Sequence, residues 1–543
     1  MDFVDVLLPL ESADSYVNGR TKVEDFMFVD IDVINSLINP YTYYILGPKG
    51  CGKTLYAAYM CAEVRTNTKS KCYKIDVSDY GKLIEMKKAH MLDFTAYLTM
   101  WKFILLEKFL LAIDPDGISF FNRNKQYKEI QSSVSHFFDF DVTADIFNPV
   151  TLIDSFDKQE ELSHYLSSNA SASGETTVLS QRTGASVGME MGGTTKEAIK
   201  TASQMNKVSS VYTDTWTRAI YAFKELVSSI SFKRNHFLFV DGLDVRPNEI
   251  DAIEYGECIG SLVRAVYDIN TTIFTKTDVR NDCLFKIIAL TRTDIFLKSQ
   301  LVNVTSCICD NSVELDWAYP SESEFEYSNL YRMINRILGG KKGSVPSPID
   351  QYFNFIVNDY EKAVKASLYM QRFTRLRPRD FVRMLRIIQQ ECKNRNICNP
   401  NEDVMKSNYV KNQFSNYYIE QVKSEMLFQY NQEEQNLIIS FIRSLRRSVF
   451  TEMSFNTMHS HFMQTNAIFK EILNDRRKVL DVLYTLDIIG WKEVYKGKTK
   501  IHWHYREIKA IDEVGRMPWE QIDNANELAF ILHPGIRRYV VIS

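Results

Sequence analysis

YTYYILGPKGCGKTLYAAYMCAEV, residues 41–64, decides the fold. It holds Gly47-Pro48-Lys49-Gly50-Cys51-Gly52-Lys53-Thr54, a complete G-x-x-x-x-G-K-T. An apolar, β-rich run (Tyr43-Tyr44-Ile45-Leu46) precedes it and a helical pattern opens at Leu55. The chemistry needs this spacing. Glycines let successive backbone N–H groups turn inward around a chain of phosphates, and the following helix adds the positive end of its dipole. Lys53 is placed to reach β- and γ-phosphates, and the Thr54 hydroxyl is a ligand for Mg²⁺. The whole loop, Gly47 to Thr54, is therefore the candidate nucleotide site. The alternative is a Gly-rich turn that only imitates the motif, and the flanking strand and helix argue against it.

Such a loop needs a partner acid at the end of a buried strand. SFKRNHFLFVDGLDVRP (231–247) supplies one: His236 to Val240 reads as a buried parallel strand ending at Asp241. Asp241 would hold the metal through water, as a Walker-B acid does, and Asp244 is the candidate for orienting or deprotonating an attacking water. A third apolar run, Phe285 to Leu290, ends in Thr291-Arg292-Thr293-Asp294. A polar residue there can sense the terminal phosphate, and Arg292 can add charge to it. Pairing of Arg292 with a surface acid is the plainer alternative.

The loop, FLFVDGLD and ALTR, in that order, resemble the STAND and NACHT branch of P-loop ATPases, which is related to AAA+ and KAP ATPases. The arrangement is also similar to a group of bacterial ATPases with a "DGLD" Walker B and a C-terminal winged-helix-like region, several of which accompany antiphage defence genes. The resemblance spans roughly residues 40–400, and Val245 stands where a further acid often follows. It implies an α/β core that binds ATP and Mg²⁺, a helical lid, and a switch that signals to a partner effector in prokaryotic antiviral defence. An arginine of the lid or of a neighbouring subunit contacts the nucleotide in such relatives. Thr374-Arg375-Leu376-Arg377-Pro378-Arg379-Asp380 looks like that region, which makes Arg377 and Arg379 candidates. From 372 to 395 eight basic residues face only Asp380 and Glu391, so a solvated basic helix face or a contact with nucleic-acid phosphates are the other readings.

Around these motifs the chain is expected to divide into an N-terminal extension (1–40), the ATPase core (41–310), a helical lid (311–400), a winged-helix-like domain (401–510) and a tail (511–543). Strand and helix alternate from residue 41, with a strand at 71–77 and a long helix at about 93–113, as in a helix-covered parallel sheet. The alternation breaks at about 114–212, a Ser-, Thr- and Gly-rich insertion that reads as a linker or as a contacting arm. Beyond 430, helices at 432–445, 455–462 and 475–489 precede a hairpin around Lys496-Gly497-Lys498. That is winged-helix order, with Arg476, Arg477 and Lys478 starting the recognition helix.

Composition bounds the rest. Lys and Arg number 65 against 68 Asp and Glu, so no global basic field draws the chain to nucleic acid. The nine Cys form no CxxC pair, which fits a reducing compartment, and no signal peptide or membrane-length apolar stretch is readable, which predicts a cytoplasmic protein with no membrane partner. His459/His461 and His502/His504 lack Cys or acid ligands at matching spacing and are set aside as a metal site. Three functions follow as expectations. The first is an ATP-driven switch that self-associates or engages an effector. The second is an AAA+-type loader that binds DNA through its C-terminal module, and the third is an ATP-dependent scaffold without turnover.

Overall fold

Apolar runs become the centre of a sheet, and runs studded with lysine or cut short become its edges. The computed structural model describes residues 2–9, 31–62, 67–75, 94–113, 216–217, 220–221, 223–224, 232–244, 246–247, 250–274, 283–297, 304–319, 322–339, 347–358, 363–466, 474–495, 498–506, 516–523 and 528–541. Strand β1 (Tyr44–Leu46) leads into helix α1 (Lys53–Ala62), followed by β2 (Thr68–Lys74). After the inserted segment come β3 (Asn235–Asp241), α2 (Ala252–Asp268), β4 (Phe285–Thr291) and β5 (Ser312–Glu314). All five strands are parallel, in the order β2-β3-β4-β1-β5. The fold is thus α/β, compatible with a P-loop core.

The order follows from the residues. β4, FKIIALT, is buried at every position, and HFLFV of β3 likewise, as strands covered on both faces require. β2, TKSKCYK, carries Lys69, Lys71 and Lys74 and takes one edge, where charge discourages pairing with another chain. Register places Leu46 beside Thr291 and Lys74 beside Asp241, so the carboxyl ends of β1, β3 and β4 come together. Ligands of open α/β sheets bind at that end. Three-residue β5 was not foreseen, because SVE offers no apolar run.

The chain divides into two compact units, Met1–Val77 with Lys233–Ser543, and Ser78–Phe232. In the second, the described residues form a helix (Phe94–Ala112), with Phe103 near Trp216 (6.3 Å between ring centres) and Phe109 near Phe223 (6.4 Å). The insertion expected at 114–212 lies outside the described residues.

In the first unit a small hairpin, β6 (Ile356–Asn358) with β7 (Ala363–Lys365), precedes helices α3 (Pro378–Asn394) and α4 (Asn408–Met426). Then follow α5 (Gln432–Ser444), β8 (Val449–Phe450), α6 (Glu452–Thr465), α7 (Arg476–Thr485), β9 (Ile489–Tyr495) and β10 (Lys498–His502). The expected helix, helix, helix, hairpin order is present, with two added strands, β8 and one from the C-terminal stretch. Residues 529–532 of the stretch read as a tail form β11 (Ala529–Leu532), which lies between β9 and β8 in an antiparallel sheet of order β10-β9-β11-β8. AFIL is apolar enough to fill an interior strand, and helix α8 (Arg537–Val541) follows it. One hydrophobic core runs from Phe3 through helices α3 and α4 to Trp491, Phe530 and Val540. Among the described residues no helix is long and apolar enough to cross a membrane.

Candidate functional site

The loop between β1 and α1 is shaped by its glycines. Gly47, Gly50 and Gly52 stand at φ 149°, 86° and 105°. At Gly50 the requirement is double, since a Cβ would also meet Arg379 Cβ at 3.2 Å. Lys53 folds back over the loop, donating to Gly47 O (2.7 Å) and Pro48 O (3.1 Å). From outside, the Trp317 indole N–H donates to Cys51 O at 2.8 Å, and Arg379 N–H to Gly50 O at 3.3 Å.

Opposite Lys53, the Thr54 hydroxyl donates to Asp241 Oδ2 at 2.6 Å. The other carboxylate oxygen accepts the Gly242 N–H at 2.8 Å. Gly242 is fixed in turn: its φ is 94°, and a Cβ would lie 2.5 Å from Ile75 O. Burial pushes Asp241 above the usual carboxylate range, while Thr54, Gly242 and Lys53 pull it back and Asp244 adds to the rise. Asp244 lies within electrostatic reach of Lys49, Asp241 and Arg292. At the end of β4, Thr291 is 1% exposed and its hydroxyl has no hydrogen-bond partner among the described residues. A buried hydroxyl without a partner is costly unless something else satisfies it.

A hydroxyl and a carboxylate at a helix N-terminus form a hard-oxygen pair that suits Mg²⁺, which takes few protein ligands and completes its shell with water and phosphate oxygens. Among the described residues no group of three His, Cys, Asp or Glu forms a metal cage.

The arginines are placed differently from one another. Arg292 forks onto Asp294 (2.9 and 2.7 Å) and donates to Glu425 O at 3.2 Å, so each of its three nitrogens is already engaged. Arg377 is buried in ion pairs with Glu425 and with Asp487 (3.0 Å), and donates to Lys49 O of the loop at 3.4 Å. Arg379 also lies against the loop, at Gly50. Arg375, absent from the sequence-based candidates, bonds Glu425 at 2.9 Å and donates its backbone N–H to Asp380 at 3.0 Å.

Glu425 is the centre of this network. Burial would raise its pKa, but Arg375, Arg377 and Arg292 outweigh that and hold it below the usual range. Next to it, Ser424 bonds the Lys49 ammonium, whose pKa burial lowers against the pull of Asp244 and Glu425. Sequence reasoning missed Trp317, Ser424, Glu425 and Asp487. None lies in a motif, and the partner separations of 266, 375, 48 and 110 positions leave no local signal.

The basic start of α7 is engaged as well. Arg477 bonds both oxygens of Asp523 (2.9 and 3.0 Å) and lies 4.7 Å from the Trp519 ring, and Arg476 reaches Ser460 at 3.3 Å. In comparisons with known proteins, no family model matches the chain and no curated protein matches it.

Proposed function

We propose that the chain binds ATP with Mg²⁺ in the Gly47–Thr54 loop, hydrolyses it, and works as a nucleotide-driven switch. The observation that carries this reading is the 2.6 Å contact between Thr54 Oγ1 and Asp241 Oδ2, which joins the loop to the acid of β3 where a metal's two protein ligands would have to meet. Thr54 and Asp241 would hold Mg²⁺, which supplies charge neutralisation at the phosphate oxygens. Lys53 would leave the carbonyls of Gly47 and Pro48 for the terminal phosphates. Asp244 would orient the attacking water, and the Thr291 hydroxyl would find its partner at the terminal phosphate.

The switch reading rests on what touches the loop from behind. Lys49 and Gly50 are bonded to Ser424, Arg377 and Arg379, and Arg377 continues to Asp487 at the turn after α7. A change in the loop on binding phosphate would therefore disturb groups that reach the winged-helix-like C-terminal module, the surface offered to a partner effector. The defence setting comes from the family resemblance alone. The alternative of a DNA loader working through α7 is weakened by Arg477, which is already committed to Asp523 and Trp519.

The test is ATP binding and hydrolysis by the purified chain, with and without duplex DNA, beside Lys53→Ala and Asp241→Ala. Slow turnover that both substitutions abolish and DNA leaves unchanged is the expected result. DNA-stimulated turnover would favour the loader. ATP binding that Lys53→Ala leaves intact would overturn the reading.

A further inference from the structure

Three arginines converge where the end of α5, helix α4 and helix α8 meet. Arg443 comes from the last turn of α5, Arg446 from just beyond it, and Arg538 from α8. Together they line a cleft of about 530 Å³ that has no acidic residue among the described residues of its lining. The chain as a whole carries −3, so three cations facing one cleft without an acid is a local concentration of charge. Cations at a helix C-terminus complement its dipole, which accounts for Arg443. Arg538 lies in the last turn of α8 and can be explained in the same way, but neither dipole requires the two arginines to face one cleft.

The remaining polar groups narrow the ligand. Asn412 and Asn416, one turn apart on α4, add amide donors to the cleft. The hydroxyl of Ser415 is already given to Gly535 O at 2.7 Å, and Arg443 covers one face of the Tyr539 ring at 4.5 Å. Charge and N–H donors therefore dominate. Arg446 stands at φ 48°, the left-handed position after a helix that glycine usually fills, so the chain places a long cation where the backbone favours no side chain. Guanidinium forks match phosphate oxygens, and three of them suit more than one negative charge.

We propose that this cleft is a second anion site, separate from the Gly47–Thr54 loop, that takes adjacent phosphate groups of a polyphosphate or of a nucleic-acid backbone without reading bases. The inference does not depend on ATP turnover.

The test uses the full chain carrying Lys53→Ala, so that the loop does not contribute, titrated with inorganic tripolyphosphate and, separately, with a short single-stranded oligothymidylate. Binding of either is expected. Arg446→Gln and Arg538→Gln should each weaken it about tenfold, the loss of one charge-assisted contact. Asn416→Asp, which adds charge while leaving every arginine in place, should weaken it as well. Lys500→Gln, on the exposed part of β10, should leave it unchanged. An unaltered thermal midpoint confirms that the variants fold. If the oligonucleotide binds alone, or far more tightly and with a log–log salt slope of about 2, the source is nucleic acid; tripolyphosphate alone would indicate a small phosphate ligand. No binding of either probe, affinity indifferent to the cleft substitutions, or an equal loss in Lys500→Gln would overturn the proposal.

Discussion

The Thr54 hydroxyl and the Asp241 carboxylate, 187 positions apart in the chain, are hydrogen-bonded at 2.6 Å. One ends the phosphate-loop motif and the other ends an apolar strand, and only the parallel pairing of β4 with both β1 and β3 brings the strand ends together. With Mg²⁺ and ATP, Asp241→Asn should lower turnover by about 100-fold or more, the scale for losing one preorganised electrostatic contact. Nucleotide binding in the presence of a chelator should persist in that variant and fail in Lys53→Ala.

Glu425 holds Arg375 and Arg377 in the interior, where both side chains are almost fully shielded. Removing it leaves two buried guanidiniums short of a counter-charge. Glu425→Ala should destabilise the fold by about 3–5 kcal/mol, the range for breaking a buried ion pair from one side. Glu425→Gln keeps the shape and some hydrogen bonding and should cost less. Denaturant unfolding of both checks the order. Equal stability of wild type and Glu425→Ala would mean that Asp380 and Asp487 carry the arginines unaided.

Lys286 is buried within β4, donating to Leu37 O and, at 2.7 Å, to Asn39 O beside the end of the helix Ile31–Ile38. A neutral amine has two N–H donors, one for each carbonyl, and burial lowers its pKa to about 7. Between about 7 and the unfolded value of 10.5 the unfolded chain binds the extra proton, so stability should rise with pH across that window, by at most about 1.4 kcal/mol per unit. Lys286→Met should remove the slope. It should also cost about 1–3 kcal/mol at high pH through the unpaired carbonyls. Chemical unfolding at stepped pH reads both effects.

The motif loop, α1 and the strands β3 and β4 were legible because each is written in contiguous residues: glycines at fixed offsets, then apolar runs ending in Asp241 or Thr291. β5 was not, since an edge strand of three residues needs no pattern of its own once Leu315 N–H bonds Leu46 O. β11 was hidden in a stretch whose pairing partners, Val449–Phe450 and Ile489–Lys492, lie far back in the chain. Arg377 shows the same limit in the site. Its likeness to a lid arginine made it a nucleotide candidate, but its ion pairs with Glu425 and Asp487 could not be read, since only the folded chain brings those acids to it.

His533 closes this C-terminal core. Its ring lies 5.0 Å from Tyr418 and 4.9 Å from Trp503, Nδ1 accepts the Gly535 N–H at 3.1 Å, and Nε2 is 3.3 Å from the Tyr505 hydroxyl. Burial lowers its pKa to about 3, with Arg375, Arg537 and Arg506 adding to the fall and Asp487 opposing it. The unfolded chain, with an imidazole of pKa 6.5, binds the extra proton between those two values. Stability contributed by neutral His533 is therefore complete above about 6.5 and lost progressively as pH falls toward about 3. His533→Gln retains an acceptor for Gly535 and does not titrate. It should lower stability at neutral pH by about 0.5–1.5 kcal/mol through lost ring contacts. Unfolding midpoints of wild type and variant should meet as pH falls below about 6 and cross before pH 4, because the linked loss of about 1.4 kcal/mol per unit overtakes the lost ring contacts; parallel curves would show that another group drives the acid transition.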